Sequence, residues 1–524
     1  MPLSVIVKIW TFIVPLIWKL FKIAFSLDWV FTLFENPPKA SAAAKKTLNV
    51  SEPRNFDSIP GPWPSLPIIG TQWLYMWFGP YQLHKLHFAN EDKYAKYGAI
   101  VKEHYLWNYP IVHLYDKNDI EEVLKYPSKF PLRPALEAQC IYRKSHPERY
   151  KSVGLVNAQG LEWQNLRSKL ISDLARPTII EHTIKQTNII ADQFIDQVRC
   201  SIVKDSNTVP LFERLIYRFT LEGIVAIVLD QQLGSLRDED SPMVEKLMLD
   251  TDKLFEVCHD TMYGLPLWKY FPSKAYNQLV ECEDIIYDVF AGYVEQAMKK
   301  MPDYNSDLGH SILKRIVAAE GVDIRDKIAT LIDIVSGGID STGNAIIFLL
   351  FNILSNERAR TEVYREVDEV LSTGTLLTTE ILQQMPYLKA CVIESLRLSP
   401  VAPNVARLLE KDFVFQNYHV PAGTLVVCET GVVGWQEHHY ENPRQFFPEG
   451  GMEGGRNKIL FFPVPLGVGG GRCRGKGVAD QEMRVVRAKL LQNFDIEFLE
   501  PLETIYKFLI SPKGPVKVTV KDRF

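Results

Sequence analysis

Beyond residue 60, apolar residues recur at three- and four-residue spacing along most of the chain. This is the period of helices that bury one face. Strand-like runs are few. Ile100–His104 and Pro110–Leu114 predict a hairpin, and Thr424–Cys428 and Val516–Val520 predict two late strands. The expected body is mainly α with small β-sheets. Its longest helix should run from about Asp323 to Leu354, apolar enough to pass through the core. The centre of that helix breaks the pattern, reading Ser336-Gly337-Gly338-Ile339-Asp340-Ser341-Thr342. Each internal glycine costs about 1 kcal/mol relative to alanine, and a buried acid or hydroxyl costs more unless it is bonded. Such a stretch marks either a packing crossover, with the hydroxyls bonded back to the preceding turn, or a functional groove.

The first residues follow a different rule. Residues 3–27 are apolar except for Ser4, Lys8, Thr11, Lys19, Lys22, Ser26 and a proline, Pro15. At about 100° per residue these polar positions fall within an arc of roughly 80°. No acidic residue precedes Asp28. Residues 1–34 therefore read as a basic amphipathic segment that lies in or along a membrane. The uncharged stretch Ile9–Trp18 is too short to span a bilayer unless the lysines snorkel. Residues 35–70 read as a polar tether closing in a stiff hinge, Pro60-Gly61-Pro62-Trp63-Pro64-Ser65-Leu66-Pro67. Residues 71–524 read as one body, without internal repeats or low-complexity tracts.

Composition alters this picture little. With 46% hydrophobic and 23% charged residues the chain is ordinary globular material, and nothing in a net charge of −4 suggests general nucleic-acid binding. The seven cysteines (Cys140, Cys200, Cys258, Cys282, Cys391, Cys428 and Cys473) are scattered and never in C-x-x-C spacing, which argues against a disulfide framework or a cysteine-bound zinc. His438-His439 reads as a solvated loop pair.

Candidate chemistry concentrates near the C-terminus. Cys473 ends the run Phe462-Pro463-Val464-Pro465-Leu466-Gly467-Val468-Gly469-Gly470-Gly471-Arg472-Cys473 and precedes a helix. Glycines such as Gly467 and Gly469 let backbone approach a flat cofactor. A helix N-terminus flanked by Arg472, Arg474 and Lys476 favours an ionised thiol, and such a thiolate suits haem iron. A P-loop would need a Ser or Thr where the chain has Gly477. A flexible loop with a buried structural cysteine is the bland alternative. Glu394 and Arg397, at i and i+3, fit a surface ion pair. Trp163 and Arg167, one turn apart, fit a part-buried helix face.

Taken in order, the hinge, Trp163-x-x-x-Arg167, the glycine-acid-hydroxyl helix, Glu394-x-x-Arg397 and the Cys473 loop resemble the cytochrome P450 family. Tyr126–Pro134 and Arg149–Asn157 are similar to the mitochondrial clan of that family. Tyr263–Lys274 and Pro501–Thr504 resemble the ecdysone-hydroxylating branch of the clan in arthropods. The resemblance implies a single haem domain, a monooxygenase activity, and haem b with Cys473 as the axial thiolate and metal ligand. It implies Trp163, Arg167 and Arg407 as propionate partners, and Gly337 and Gly338 as room for dioxygen. Asp340 and Ser341 would be the acid–alcohol pair that delivers protons, with Ser in place of the family's usual Thr. Glu394 and Arg397 would brace the scaffold.

The implied reaction is the conversion of ecdysone to 20-hydroxyecdysone. Its alternatives are another sterol or lipid within the clan, or a haem-poor relative that only binds steroid. The implied partners are a steroid, dioxygen, a membrane and an adrenodoxin-type ferredoxin. Lys389, Arg472, Arg474, Lys476, Arg484 and Arg487 would offer the ferredoxin a basic patch, with an ordinary solvated face as the alternative. The implied location is the mitochondrial inner membrane, with the endoplasmic reticulum as the alternative. Three positions depart from the family pattern. Leu466 replaces a Phe, and Gly450 and Gly471 replace arginines, which predicts carboxylates around Glu394 and the propionates short of cations.

Overall fold

The computed structural model of the chain describes residues 52–128, 130–172, 174, 176–237, 241–299, 311–372, 374–452 and 473–523, and Glu52–Phe524 form one compact unit. Among the described residues the helices longer than ten residues are, in chain order, α1 (Leu86–Tyr97), α2 (Gly160–Leu170), α3 (Pro177–Cys200), α4 (Phe212–Leu229), α5 (Pro242–Tyr263), α6 (Lys274–Lys299), α7 (Ile324–Leu354), α8 (Glu357–Val370), α9 (Pro386–Leu398) and α10 (Lys476–Asn493). The body is mainly α with small sheets, as the periodicity predicts.

Helix α7 is the axis of the fold. Asp323 caps it, its carboxylate accepting from the Arg325 N–H at 2.9 Å, and the helix runs unbroken through the glycines to Leu354. It is long and apolar enough to cross a membrane, yet most of it is buried inside the protein. It packs against α4, α6, α8, α9 and α10. The apolar side chains of its second half, Ile346 to Leu350 and Ile353, belong to the largest core cluster, while Leu331, Ile332, Val335 and Ile339 belong to a second one. Between these two clusters lies the glycine-rich stretch.

The expected hairpin is present as β1 (Ile100–His104) and β2 (Pro110–Leu114), antiparallel with Lys102 opposite Val112. The remaining strands are β3 (Thr208–Val209), β4 (Val405–Leu408), β5 (Phe413–Phe415), β6 (Tyr418–Val420), β7 (Leu425–Cys428), β8 (Phe494–Phe498), β9 (Thr504–Lys507), β10 (Leu509–Pro512) and β11 (Val518–Asp522). The largest sheet has the order β1-β2-β7-β4, with β7 parallel to β2 and β4 antiparallel to β7. The described part of the Pro-rich segment docks on this sheet. The Lys102 N–H donates to the Pro60 carbonyl at 2.8 Å, and a Cβ on Gly61 would fall 1.9 Å from the Lys102 carbonyl oxygen, so only glycine fits there. The basic segment 1–34 and residues 35–51 of the tether lie outside the described residues.

Beneath the sheet lies a polar cluster that the sequence does not advertise. Lys93 Nζ donates to Glu103 at 2.5 Å, and the His113 ring bridges Glu103 at 2.9 Å and Glu429 at 2.8 Å. All four side chains are buried. Burial alone would lower the His113 pKa, as would Lys93, but the bonds to Glu103 and Glu429 outweigh both and raise it. A raised folded-state pKa contributes stability that is complete below about pH 6.5, the unfolded value, and is lost as pH rises through the folded one. The melting temperature should therefore fall on the alkaline side of neutrality. His113→Gln should lower it throughout and flatten that slope, and parallel pH profiles for the two proteins would refute the assignment.

Candidate active site

The glycine-rich centre of α7 resolves into two roles. A Cβ on Gly338 would meet Ile224 of α4 at 2.8 Å, so this glycine permits close helix packing. A Cβ on Gly337 would meet nothing within 4 Å, because that position faces open space. The Ser341 hydroxyl donates to the Gly337 carbonyl at 2.7 Å, one turn back. The crossover and the groove read from the sequence are thus both present, one residue apart.

The open space is a cavity of about 290 Å³ lined by Gly337, Gly338, Ser341 and Thr342 on one side and by Cys473 and Arg474 on the other. Its remaining wall is largely apolar, with Ile171, Leu174, Ile227, Val228, Val401 and Leu509. Cys473 sits just ahead of α10, and it is exposed and free, unlike the buried structural cysteine of the bland reading. The other six cysteines are also free. Opposite α10, Gly223 of α4 allows Glu482 to approach, since a Cβ there would lie 2.4 Å from Glu482 Oε1. Glu482 also lines the cavity, and burial pushes its carboxyl up to about 8.

Beside this cavity stands a group of guanidiniums. Arg167 on α2 lies over the Trp163 ring at 4.9 Å, and Arg133 lies over the same ring at 5.9 Å. Burial pushes Arg133 down to about 10, and the charges of Arg407 and Arg167 push it the same way. Burial likewise pushes Arg167 down to about 10, with Arg474 adding to the drop and Cys473 opposing it. Burial also lowers Arg407, whose Nη1 donates to the Ala406 carbonyl at 2.8 Å. Like charges gathered in a desolvated place call for anions between them. The sequence reading did not single out Arg133, although it lies in the clan-like stretch Tyr126–Pro134, because only the fold brings it to Trp163.

Residues 60–520 match the sequence pattern of the cytochrome P450 family. The chain belongs to that family. It is 36% identical over 485 residues to ecdysone 20-monooxygenase of Drosophila melanogaster, covering 90% of this chain and 89% of that one. It is 29% identical to cytochrome P450 302a1, mitochondrial, of the same organism, covering 84% and 89%. It is 25% identical to 1,25-dihydroxyvitamin D(3) 24-hydroxylase, mitochondrial, of Rattus norvegicus, covering 90% of each chain.

A cytochrome P450 is a monooxygenase that carries haem on a cysteine thiolate. The residues present fit that group. Cys473 opens onto the cavity, the face of α7 opposite it bears no side chain at Gly337, and Arg133, Arg167 and Arg407 gather in a desolvated place where two propionates would offset their mutual repulsion. The predicted acid and alcohol, however, do not face the same way. Ser341 lines the cavity, whereas Asp340 is not among its lining residues. Asp340 is buried beside Tyr217, and its Oδ2 has no hydrogen-bond partner among the described residues. Burial raises its pKa well above the usual carboxylate range; Asp252 raises it further and Lys507 opposes. Burial thus favours the protonated form of Asp340. Lys507, from β9, in turn bonds Asp252 of α5 at 3.0 Å.

Other expectations need correction. Glu394 and Arg397 are not a surface pair: their side chains are only 3% and 9% exposed. Nor does Gly450 leave them short of a cation. Arg397 donates to both Glu394 oxygens at 2.7 and 2.8 Å and to the carbonyls of Gly434, Pro443 and Gln445, while Glu394 also accepts from the Phe447 N–H at 2.9 Å. Backbone carbonyls satisfy the guanidinium, so the network closes without an arginine at 450. In the expected basic patch, Lys389 and Lys476 are exposed, but Arg487 is wholly buried and donates to the Met483 carbonyl. Arg484 turns inward to the Leu382 carbonyl. Gly467, Gly469, Leu466, Gly471 and Arg472 lie outside the described residues.

Proposed function

We propose that this cytochrome P450 hydroxylates ecdysone at C20 to give 20-hydroxyecdysone, using haem b held by Cys473. The carrying observation is the cavity itself, where Cys473, Ser341 and the bare Gly337 meet beneath a largely apolar wall. The similarity to ecdysone 20-monooxygenase over nine-tenths of both chains supports the choice of steroid. Haem supplies oxygen activation, and a thiolate ligand favours cleavage of the O–O bond. The chain's own residues do the rest. Arg167, Arg407 and Arg133 would hold the propionates through charge-assisted bonds, with Trp163 bracing the guanidiniums of Arg167 and Arg133. Gly337 keeps space open in the cavity that Cys473 also lines. The Ser341 hydroxyl holds a proton at the cavity surface, and the adjacent buried Asp340, whose protonated form burial favours, is the reserve. The apolar wall excludes water and orients the steroid side chain.

The test is turnover of ecdysone by the purified chain with an adrenodoxin-type ferredoxin and its reductase. The expected product is 20-hydroxyecdysone; turnover of a different sterol, with none of ecdysone, would overturn the substrate assignment. Ser341→Ala should keep steroid binding while product per electron pair falls on the order of 10–100-fold and peroxide appears. Unchanged coupling in this variant would move the proton role to Thr342 or to water.

Residues 1–34 are proposed to engage the mitochondrial inner membrane, with 35–70 leading into the haem domain 71–524. Relatives named as mitochondrial support the location. Trp77, 95% exposed, meets the exposed Phe78 edge to face at 5.3 Å, which suits a body resting against lipid. Ferredoxin docking is proposed at Lys389, Arg474 and Lys476. A reporter fused to residues 1–60 should reach mitochondria, and its appearance on the endoplasmic reticulum would refute the location.

A further inference from the structure

The 3-10 turn around His84 and strand β9 meet the C-terminal end of α5. His84 comes from a single 3-10 turn, Leu83–Lys85, and His259 and Asp260 come from α5. The His84 and His259 rings stack with centroids 4.6 Å apart. His259 is fully buried, while the side chains of His84 and Asp260 are 41% and 38% exposed.

The protons on these rings follow from their partners. His84 Nδ1 lies 3.2 Å from the Tyr506 carbonyl oxygen, and His259 Nε2 lies 3.3 Å from the Leu83 carbonyl oxygen. A carbonyl only accepts, so both of these nitrogens carry hydrogen. The opposite nitrogens, His84 Nε2 and His259 Nδ1, then turn toward Asp260 Oδ1 at 3.7 and 3.0 Å. In neutral rings each would present a lone pair to a carboxylate, an arrangement that needs a cation at its centre. All three inward atoms lie within 4.8 Å of one another. Tetrahedral zinc, with bonds of about 2.0–2.1 Å, spaces its ligands about 3.3–3.5 Å apart, between the two carboxylate distances found here. The outer N–H groups on backbone carbonyls are the arrangement that fixes the tautomer of a metal-binding histidine.

We propose that His84, His259 and Asp260 form a zinc site outside the haem cavity. Two imidazoles and one carboxylate suit a borderline divalent ion better than magnesium or calcium, which prefer oxygen ligands. The half-exposed His84 and Asp260 give the ion its entry and leave a fourth position for water. The zinc would tie α5 to the 3-10 turn and, through the Tyr506 carbonyl, to β9. The hairpin of β9 and β10 carries Leu509 to the cavity wall, so the site reaches the steroid pocket through one strand pair.

The test uses the full-length haem-loaded protein, stripped with a chelator and titrated with zinc chloride by calorimetry. One zinc per chain is expected, with affinity about tenfold weaker or worse in His84→Gln and in Asp260→Asn, while magnesium gives no heat. Both substituted positions are part-exposed, and an unchanged Soret spectrum certifies that each variant is folded. His438→Gln, in the separate surface histidine pair, should leave zinc affinity unchanged. Cobalt(II) in place of zinc should show the visible bands of a four-coordinate site, lost in both cluster variants. Absence of zinc binding to the unaltered protein would overturn the proposal, leaving protonated imidazoles as the partners of Asp260. So would binding that survives both cluster substitutions, or binding lost in His438→Gln.

Discussion

Cys473→Ala is expected to yield a folded protein without the haem-thiolate signature: no Soret band at the thiolate position in the reduced, carbon-monoxide-bound spectrum, and hydroxylation at background. The reasoning starts from exposure. Cys473 opens onto the cavity and is not packed in a core, so removing its sulfur creates no buried void. The thermal melt of the haem-free chain should therefore stay close to that of the unaltered chain, while the spectrum changes completely. No other cysteine can replace it among the cavity-lining residues. Survival of the thiolate band would show that the ligand is a different cysteine, and the site would have to be rebuilt around that one.

The second large effect is structural. Arg397→Ala should destabilise the fold by about 3–5 kcal/mol, because it strands a buried carboxylate. Among the described residues Glu394 would keep only the Phe447 N–H, and three backbone carbonyls, those of Gly434, Pro443 and Gln445, would lose the Arg397 donor. These carbonyls lie on the chain leading from the sheet toward the Cys473 loop, so haem retention should fall together with the melting temperature. Chemical denaturation of the haem-free protein separates the two effects. Gly450→Arg, in contrast, should bring no gain, since the network is already closed at a buried glycine. A clear rise in stability for Gly450→Arg would show that the carbonyls do not satisfy Arg397.

The sequence by itself determined what depends on neighbours along the chain. The helical body, the β1–β2 hairpin and the limits of α7 follow from local periodicity, capping and a short connection, and all are present. The ordered motifs also identified the family, since each is a few residues long and its spacing survives without coordinates. The short strands β3, β4, β5, β6, β9 and β10, of two to four residues, offer too few residues for a period-two pattern to stand out. The parallel pairing of β2 with β7 joins segments some 300 residues apart, and no local signal specifies it.

Side-chain surroundings were settled only by the tertiary structure. An i, i+3 spacing puts Glu394 and Arg397 on one helix face, but α9 happens to turn that face inward. Adjacent residues on a helix diverge by about 100°, so Asp340 and Ser341 look different ways, and packing decided which one met the cavity. Arg133, far from Arg407 in sequence, joined the guanidinium group because the Leu408 N–H of β4 donates to the Leu132 carbonyl at 3.1 Å while Arg133 itself lies over Trp163. His84 and His259 lie 175 positions apart, beyond the reach of any spacing rule, and only the docking of a short turn against the end of α5 faced their rings toward one carboxylate.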